Sequence, residues 1–133
     1  MSLFGQVTHV KLKDCFEDQH KLLTFVVEDH DLGRAIGKHA MHVKKLEYLL
    51  KRIVRILGFN SDVYRFLEQV ISPLRVQAVR EDPELRTEEG PVFIIEGGDI
   101  KTKSLLIGRN AQNLRNTEAI IRRYFPLKEL KVV

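Results

Sequence analysis

The sequence predicts an α+β protein composed of two similar units, each with three strands and several helices. The segment at positions 36–44 recurs 71 positions later at 107–115. A β-favouring segment at 24–28 recurs 68 positions later at 92–96. Both copies of the longer segment have a glycine, two variable residues and then an alanine that opens an amphipathic helix. We interpret each as a helix start suited to binding phosphate.

Three segments of the first unit have the residues of strands. Loose alternation over 6–16 predicts a half-buried strand, and the residues before it are too few to form an element. The apolar run within 21–28 predicts a second strand, paired with the first as a hairpin. The β-branched segment 53–57, which Gly58 ends, predicts a third strand beside the hairpin.

Two helices are predicted between the second and third strands. Residues 29–31 offer N-cap acceptors for a short helix over 32–36, which Gly37 ends. A long helix starts at Ala40 and has one apolar and one basic face. Its apolar positions are Val43, Leu46, Leu49 and Leu50, and its basic positions are Lys44, Lys45 and Lys51.

We place the first unit at residues 1–60 and the second at 61–133. The second unit repeats the same order of elements after an additional helix, which Asn60 or Ser61 caps and Pro73 ends. The elements that follow are predicted as strands over 74–79 and 92–96, a short helix over 105–107, a long helix over 111–124 and a strand over 127–133.

Positive charge is concentrated around the two glycine segments. Residues 34–55 and 101–128 together carry 14 of the 22 Lys and Arg residues but only 2 of the 18 Asp and Glu residues. Their net charge is +12, whereas the remaining 83 residues carry −8. Two solvated helix faces would account for either segment alone. The coincidence of both basic segments with a glycine turn predicts binding of a polyanion.

Several function classes find no support in the sequence. No apolar run approaches the roughly 20 residues that span a bilayer, and the N-terminus lacks the basic and apolar regions of a secretory signal, so we expect a cytoplasmic protein without a membrane partner. We also expect a monomer. The single Cys15 excludes an intrachain disulfide and a cysteine-rich zinc site. His39 and His42 could coordinate a metal, but no nearby residue in sequence completes a ligand set. We predict no catalysis and no cofactor.

The glycine segments resemble a known motif. An isoleucine and a glycine, two variable residues, a small residue and a helix, set between strands, resemble the KH nucleic-acid-binding motif. The leading helix and strand of the second unit resemble the second KH type, and the phrase at 107–113 resembles archaeal NusA-like transcription factors. The resemblance implies two tandem KH (type II-like) domains, each a three-stranded sheet covered on one face by helices. It also implies a leading helix in the first unit, of which residues 1–6 are a remnant.

The chain departs from the KH pattern at one position of both loops. The family's loop reads Gly-x-x-Gly, whereas Ala40 and Ala111 occupy the last position here. The methyl group narrows the approach of a phosphate. We expect binding to survive, because the alanine N–H and the positive helix end stay available to an anion.

The resemblance implies which residues contact RNA. KH loops clamp about four nucleotides of a single strand, with phosphates at the loop and bases over an apolar groove. The implied loop residues are Gly37, Lys38, His39 and Ala40 in the first unit and Gly108, Arg109, Asn110 and Ala111 in the second. The implied groove floor comprises Ile36, Val43, Ile107 and Leu114, and the outer phosphate contacts are Lys44 and Arg115.

Polar side chains beside the loop differ between the units. Gln112 and Asn113 add polar groups to the second site, where the first has Met41 and His42. We therefore expect the first unit to be the dispensable one.

The resemblance implies an RNA-binding transcription elongation or termination factor, with single-stranded RNA and RNA polymerase as partners. Two other classes stay open at this point: an RNA-binding protein of ribosome assembly or RNA decay, and a protein-interaction adaptor built on degenerate KH folds. The apolar groove residues are equally explained as core, and each glycine as a tight turn between helices.

Overall fold

The structure, a computed structural model, describes residues 2–133 and consists of two compact units that divide between Ser61 and Asp62. Each unit has a three-stranded mixed sheet in which the central strand pairs with one antiparallel and one parallel neighbour. The predicted α+β class with tandem KH-like units is confirmed. In the part of the chain that the structure describes, no helix is long and apolar enough to cross a membrane.

In the first unit, two helices connect a parallel pair of strands. The elements are α1 (Leu3–Thr8), β1 (Asp14–Glu17), β2 (Leu23–Glu28), α2 (Leu32–Ile36), α3 (Met41–Leu50) and β3 (Val54–Phe59). β1 and β2 form the predicted hairpin, and β3 lies parallel to β2. Parallel neighbours need a crossover connection, and here it contains α2 and α3. The short helix α2 has the bounds that the sequence predicted.

The leading helix α1 replaces the first part of the strand predicted over 6–16. The Ser2 side chain caps it by accepting a hydrogen bond from the backbone N–H of Gly5 over 3.2 Å. Phe4 and Val7 lie three positions apart and are both buried, which is helical spacing. The predicted strand was wrong here because a short helix and a short alternation look alike in sequence. The prediction for Met1 falls outside the described residues.

Two further predictions in the first unit need correction. Residues 29–31 form a 3-10 turn without a side-chain cap; the carboxylate of Asp31 instead pairs with Arg34 at 2.7 Å. Asp29 accepts a hydrogen bond from the Asn60 side chain over 3.0 Å. Gly58 does not end the third strand but lies inside β3, opposite Val27 of β2. Backbone pairing decides the strand end, and the glycine does not interrupt it.

The second unit repeats the same order of elements. They are α4 (Val63–Ile71), β4 (Ala78–Glu81), β5 (Val92–Glu96), α5 (Ile100–Ile107), α6 (Gln112–Arg122) and β6 (Glu129–Val132). β5 has the predicted bounds, whereas α6 and β6 are shorter than predicted. Because α1 leads the first unit as α4 leads the second, the additional helix is not specific to the second unit.

Capping residues decide where α4 and α5 begin. Asp62, rather than Asn60 or Ser61, caps α4 by accepting from the Tyr64 N–H over 3.0 Å. Asp99 caps α5 by accepting from the Thr102 N–H over 2.6 Å, so the helix predicted over 105–107 is longer. This hydrogen bond lowers the pKa of the Asp99 carboxyl. The stabilisation is therefore complete above the ordinary aspartate pKa and is lost as pH falls through the lowered value.

The strand predicted over 74–79 begins later than expected. The Leu74 N–H donates to the carbonyl of Ile71 over 3.0 Å, so the chain turns directly after α4. Pairing with β5 starts where the Gln77 N–H donates to the carbonyl of Glu96 over 2.8 Å. β4 therefore occupies only the residues that face an available partner strand.

Each long helix is tied to its sheet by a glutamate at the equivalent position. The Glu47 carboxylate accepts from the Val54 N–H over 3.0 Å at the start of β3. The Glu118 carboxylate, 0% exposed, accepts from the Leu130 N–H over 2.9 Å in β6. A buried carboxylate is tolerated because it is hydrogen-bonded. These bonds fix the long helices against the strands that follow them.

The core of the first unit lies between α1, α2, α3 and one face of the sheet. Its buried members are Phe4, Val7, Val10, Phe25, Val27, Ala35, Leu46, Val54 and Ile56. The sheet residues in this set alternate along β2 and β3, as residues on one face do. This cluster confirms that helices cover that face.

Removing the Phe4 ring should destabilise the first unit, because Phe4 is 3% exposed and stacks on Phe25 with 4.8 Å between ring centroids. We expect Phe4→Ala to lower the free energy of unfolding in urea by about 3–5 kcal/mol. Leu3→Ala changes the same helix at a position that is 38% exposed and should cost less than about 1 kcal/mol. Equal losses of unfolding free energy in the two variants would show that the Phe4 ring does not stabilise the core.

Candidate nucleic-acid interface

The two glycine loops have the same backbone conformation. Gly37 has φ 80° and ψ 165°, and Gly108 has φ 73° and ψ 176°. In each loop the next three residues form a tight turn, Lys38–Ala40 or Arg109–Ala111, before the long helix begins. Exposure also matches: the glycine and alanine are half-buried, and the two residues between them are exposed. The predicted repeat is therefore a repeat of geometry.

The third and fourth loop positions are left-handed in both copies. His39 and Ala40 have φ 54° and 57°, and Asn110 and Ala111 have φ 55° and 60°. Histidine and asparagine tolerate this region better than most residues, whereas it costs alanine about 1–2 kcal/mol. Glycine at the fourth position of the KH pattern thus has a backbone reason in addition to the approach of a phosphate.

The alanine N–H groups are used inside the loops. The Ala40 N–H donates to the carbonyl of Gly37 over 3.1 Å, and the Ala111 N–H donates to that of Gly108 over 3.3 Å. Each alanine is the N-cap, and the helix begins one residue later. The expectation that these N–H groups stay available to an anion is therefore wrong, and the predicted helix starts at 40 and 111 are one residue early.

A side chain from the start of each long helix returns over the glycine. His42 Nδ1 lies 3.0 Å from the carbonyl oxygen of Arg34, and Asn113 Nδ2 donates to that of Leu105 over 2.8 Å. Because a carbonyl oxygen only accepts, Nδ1 of His42 carries the hydrogen. Each contact lies within its own unit, and the residues that form it occupy equivalent positions in the two units. The contacts commit Asn113, which the sequence assigned to RNA, at least partly to the fold.

The sequence contained a signal for this contact that pattern reasoning missed. A Cβ on Gly37 would lie 2.9 Å from the His42 ring, and one on Gly108 would lie 2.6 Å from Asn113. Both side chains stand five positions after their glycine, and both can donate a hydrogen bond. His42 therefore acts in the turn, and no group of three His, Cys, Asp or Glu side chains among residues 2–133 is arranged to hold a metal.

The predicted groove residues are half-buried. Ile36 and Val43 pack against the core of the first unit while keeping part of their surface exposed. Ile107 and Leu114 have the same intermediate exposure in the second unit. An apolar side chain with this exposure can support a base and also belong to the core, so the two readings of these residues are compatible.

Cations at the loops are free of internal partners. Lys38 and Arg109 are exposed, and across residues 2–133 neither forms an ion pair. Lys44, one turn into α3, is likewise exposed and unpaired within that range. Its counterpart Arg115 instead pairs with the buried Glu118 at 3.1 Å. Of the two predicted outer phosphate contacts, Lys44 is thus available to a ligand, whereas Arg115 is shared with Glu118.

Several other cations of the basic segments serve the fold. Arg52 pairs with Glu17 at 2.9 Å, and burial in β3 lowers the pKa of Arg55. Arg122 donates to the carbonyls of Leu127 and Lys128 over 3.1 and 2.7 Å. The excess of positive charge counted from the sequence is therefore larger than the number of cations that are free to bind a ligand.

Glycine at the strained fourth loop position should stabilise the protein. We expect Ala111→Gly to raise the free energy of unfolding by up to about 1 kcal/mol, because relief of the left-handed strain exceeds the added chain entropy. Ala119→Gly, inside α6, should lower it by about 1 kcal/mol. Urea unfolding measures both. A decrease in unfolding free energy for Ala111→Gly as large as that for Ala119→Gly would contradict the proposed backbone strain at position 111.

The chain is similar over its whole length to two archaeal proteins. It is 23% identical over 133 residues to the probable transcription termination protein NusA of Methanocaldococcus jannaschii, an alignment that covers 100% of this chain and 70% of that protein. It is 24% identical over 133 residues to the protein of the same name from Methanococcus vannielii, covering 100% and 74%. The predicted resemblance to archaeal NusA-like proteins is confirmed. No model of a known protein family matches the chain.

The fold also has a counterpart among solved structures. The crystal structure of APE1850 matches with a TM-score of 0.78 at 19% identity, covering 98% of this chain and 93% of that one. At this identity the likeness establishes the fold alone.

Proposed function

We propose that this chain, similar over its whole length to archaeal NusA proteins, binds single-stranded RNA through the loops at Gly37 and Gly108. The observation that carries the proposal is the matching backbone geometry of two loops, each presenting an exposed cation, Lys38 or Arg109, that is unpaired among residues 2–133. A turn that served only to reverse the chain would not need a cation at the same position of both copies. Phosphates would lie at these cations.

The surroundings of each loop suit a single strand better than a duplex. Beside the cations lie half-buried apolar side chains, Ile36 and Val43 in the first unit and Ile107 and Leu114 in the second. Splayed bases can pack on such side chains, whereas the base edges of an A-form duplex lie in a groove that side chains do not enter. RNA single strands therefore match both the charge and the apolar surface.

A role in transcription is supported by the names of the curated relatives. Both are called probable transcription termination proteins. We propose that this chain acts on nascent RNA during elongation or termination, with RNA polymerase as a further partner. Co-purification from cell extract with and without nuclease tests this: polymerase retained after nuclease supports the role, and ribosomal particles alone would refute it.

Two contacts support a different ranking of the two units from the one expected from the sequence. The first unit was expected to be dispensable because Met41 and His42 replace the polar Gln112 and Asn113 of the second unit. Of these two, the Asn113 amide is bonded to the carbonyl of Leu105, just as His42 is bonded to that of Arg34, whereas Gln112 stays exposed. Since Lys44 is unpaired and Arg115 is not, we propose that the first unit contributes at least as much of the electrostatic affinity.

Charge reversal at either loop should weaken binding to single-stranded RNA. We expect Lys38→Asp with His39→Asp, and separately Arg109→Asp with Asn110→Asp, to lower affinity about tenfold or more, because a carboxylate repels the phosphate. Aspartate tolerates the left-handed backbone of positions 39 and 110, so the loop conformation is preserved. Fluorescence anisotropy with labelled single-stranded and duplex RNA of one length measures the effect.

A matched control lies outside the loops. His9→Asp with Lys11→Asp makes the same two residue changes as the first loop variant at exposed positions, and His9 is also left-handed with φ 58°. This variant should bind as the parent does. Equal affinity of the parent for single-stranded RNA and duplex, or equal losses in the control and the loop variants, would refute recognition by the loops.

The salt dependence of binding should differ between variants of the two equivalent cations, because Arg115 is paired with Glu118 and Lys44 is unpaired among residues 2–133. On single strands, log affinity falls against log salt by about 0.7 per neutralised phosphate. Lys44→Gln should reduce this slope by about that amount, whereas Arg115→Gln should reduce it less, because Glu118 already pairs with Arg115. Titrations at several salt concentrations measure both slopes. A flat line for the parent would favour a protein-interaction adaptor.

A further inference from the structure

An aromatic side chain stands in the middle of the exposed face of α3. Tyr48 is 79% exposed, and across residues 2–133 its ring and hydroxyl make no hydrogen bond or ring contact. The opposite face of the helix is anchored by Leu46, which is 0% exposed. A large exposed ring of this kind has no role in the packing of the first unit.

Lysines surround this ring on the helix surface. Lys44 and Lys45 lie four and three residues before Tyr48, and Lys51 lies three residues after it, spacings that make them neighbours on a helix. All three are exposed and, among the described residues, free of ion pairs. We call Lys44, Lys45, Tyr48 and Lys51 the α3 patch.

Acidic side chains do not offset the α3 patch from within its own helix. The one acid of α3, Glu47, is half-buried and accepts from the Val54 N–H over 3.0 Å. The patch therefore presents positive charge around an aromatic face. This combination suits a chain that offers alternating phosphates and bases.

The second unit has no such patch, although its backbone repeats. The position equivalent to Tyr48 is Ala119. The cations equivalent to Lys44 and Lys51 are Arg115, which pairs with Glu118, and Arg122, which donates to the carbonyls of the two residues just before β6. The cations on this helix face thus have internal partners in the second unit and none among the described residues in the first.

We propose that the α3 patch is an additional single-stranded RNA site, in which a base stacks on Tyr48 and the lysines contact the flanking phosphates. The patch begins at Lys44, one turn beyond the Gly37 loop, and Tyr48 lies about 10 Å along the helix axis from Met41, the first helical residue. A strand held at the loop continues onto the patch. The inference rests on the proposed function and extends the binding site beyond the loop and its groove.

RNA is favoured over a protein partner by the charge of the surface. A protein docking on the α3 patch would have to neutralise three lysines around one ring, and charged residues, lysine among them, are depleted at the centres of protein interfaces. A nucleic acid neutralises the same lysines by releasing the counterions of its phosphates. Stacking on the ring requires no particular base, so the site is tolerant of sequence.

A tryptophan reporter tests whether a base reaches the ring. The chain has no tryptophan, so Tyr48→Trp introduces a single indole that retains the capacity to stack. Oligouridine should quench its fluorescence, and an abasic strand of the same length should not. Leu85→Trp is the control, since Leu85 is 40% exposed beside acidic residues in the 81–90 loop, where RNA is repelled. Quenching equal to that of the control would overturn the proposal.

Affinity measurements separate stacking from charge. We expect Tyr48→Ala, which copies the second unit, to weaken oligouridine binding about tenfold with an unchanged salt slope, and Tyr48→Phe to bind as the parent does. The abasic strand should bind the parent and Tyr48→Ala equally. The exposure of Tyr48 predicts that every variant unfolds at the parent temperature, which circular dichroism checks.

The failures of the two proposals are distinguishable. If loop variants lose oligouridine binding while Tyr48→Ala keeps it, the loops bind RNA and the α3 patch does not. If the parent itself fails to bind oligouridine, the proposed function is overturned and the patch with it. Loss of polymerase co-purification in Tyr48→Ala at unchanged RNA affinity would assign the patch to a protein and overturn this inference.

Discussion

Each unit depends on a turn in which one position cannot carry a side chain. The returning side chains of His42 and Asn113 fill the space over Gly37 and Gly108, where a Cβ would stand 2.9 and 2.6 Å from them. Their hydrogen bonds to the last turn of the short helix hold the two helices together across the turn. The direction of each long helix, and with it the place of every cation along that helix, follows from this contact.

The backbone of the turn also limits which residues can present a ligand-binding surface. Two successive left-handed positions admit few side chains without strain, and His39 and Asn110 are of the tolerated kinds. The left-handed backbone therefore limits which residue types can occupy these positions, and only those types can be presented to a ligand there. Alanine at the last position retains the conformation at a modest energetic cost.

The repeat preserves backbone geometry more closely than electrostatics. Lys44 and Arg115 occupy the same helix position, yet one is unpaired and the other pairs with a buried carboxylate at 3.1 Å. Since a paired arginine offers less net charge to a phosphate, units with one fold present different potentials to a ligand. A duplicated domain can thus divide its surfaces between stability and binding without altering the turn that defines it.

The sequence by itself determined the duplication, the glycine turns, the bounds of α2 and β5, and the α+β class. These features depend on spacing between neighbours and on the backbone freedom of glycine, both of which are local. Tertiary structure decided that Leu3–Thr8 is helical, because a helix as short as α1 is stable only when Phe4 packs on Phe25. It also decided which polar groups remain for a ligand. Asn113 and Leu105 are eight positions apart, so the hydrogen bond from the Asn113 amide nitrogen to the Leu105 carbonyl exists only once the turn has formed, and that nitrogen is then engaged within the fold.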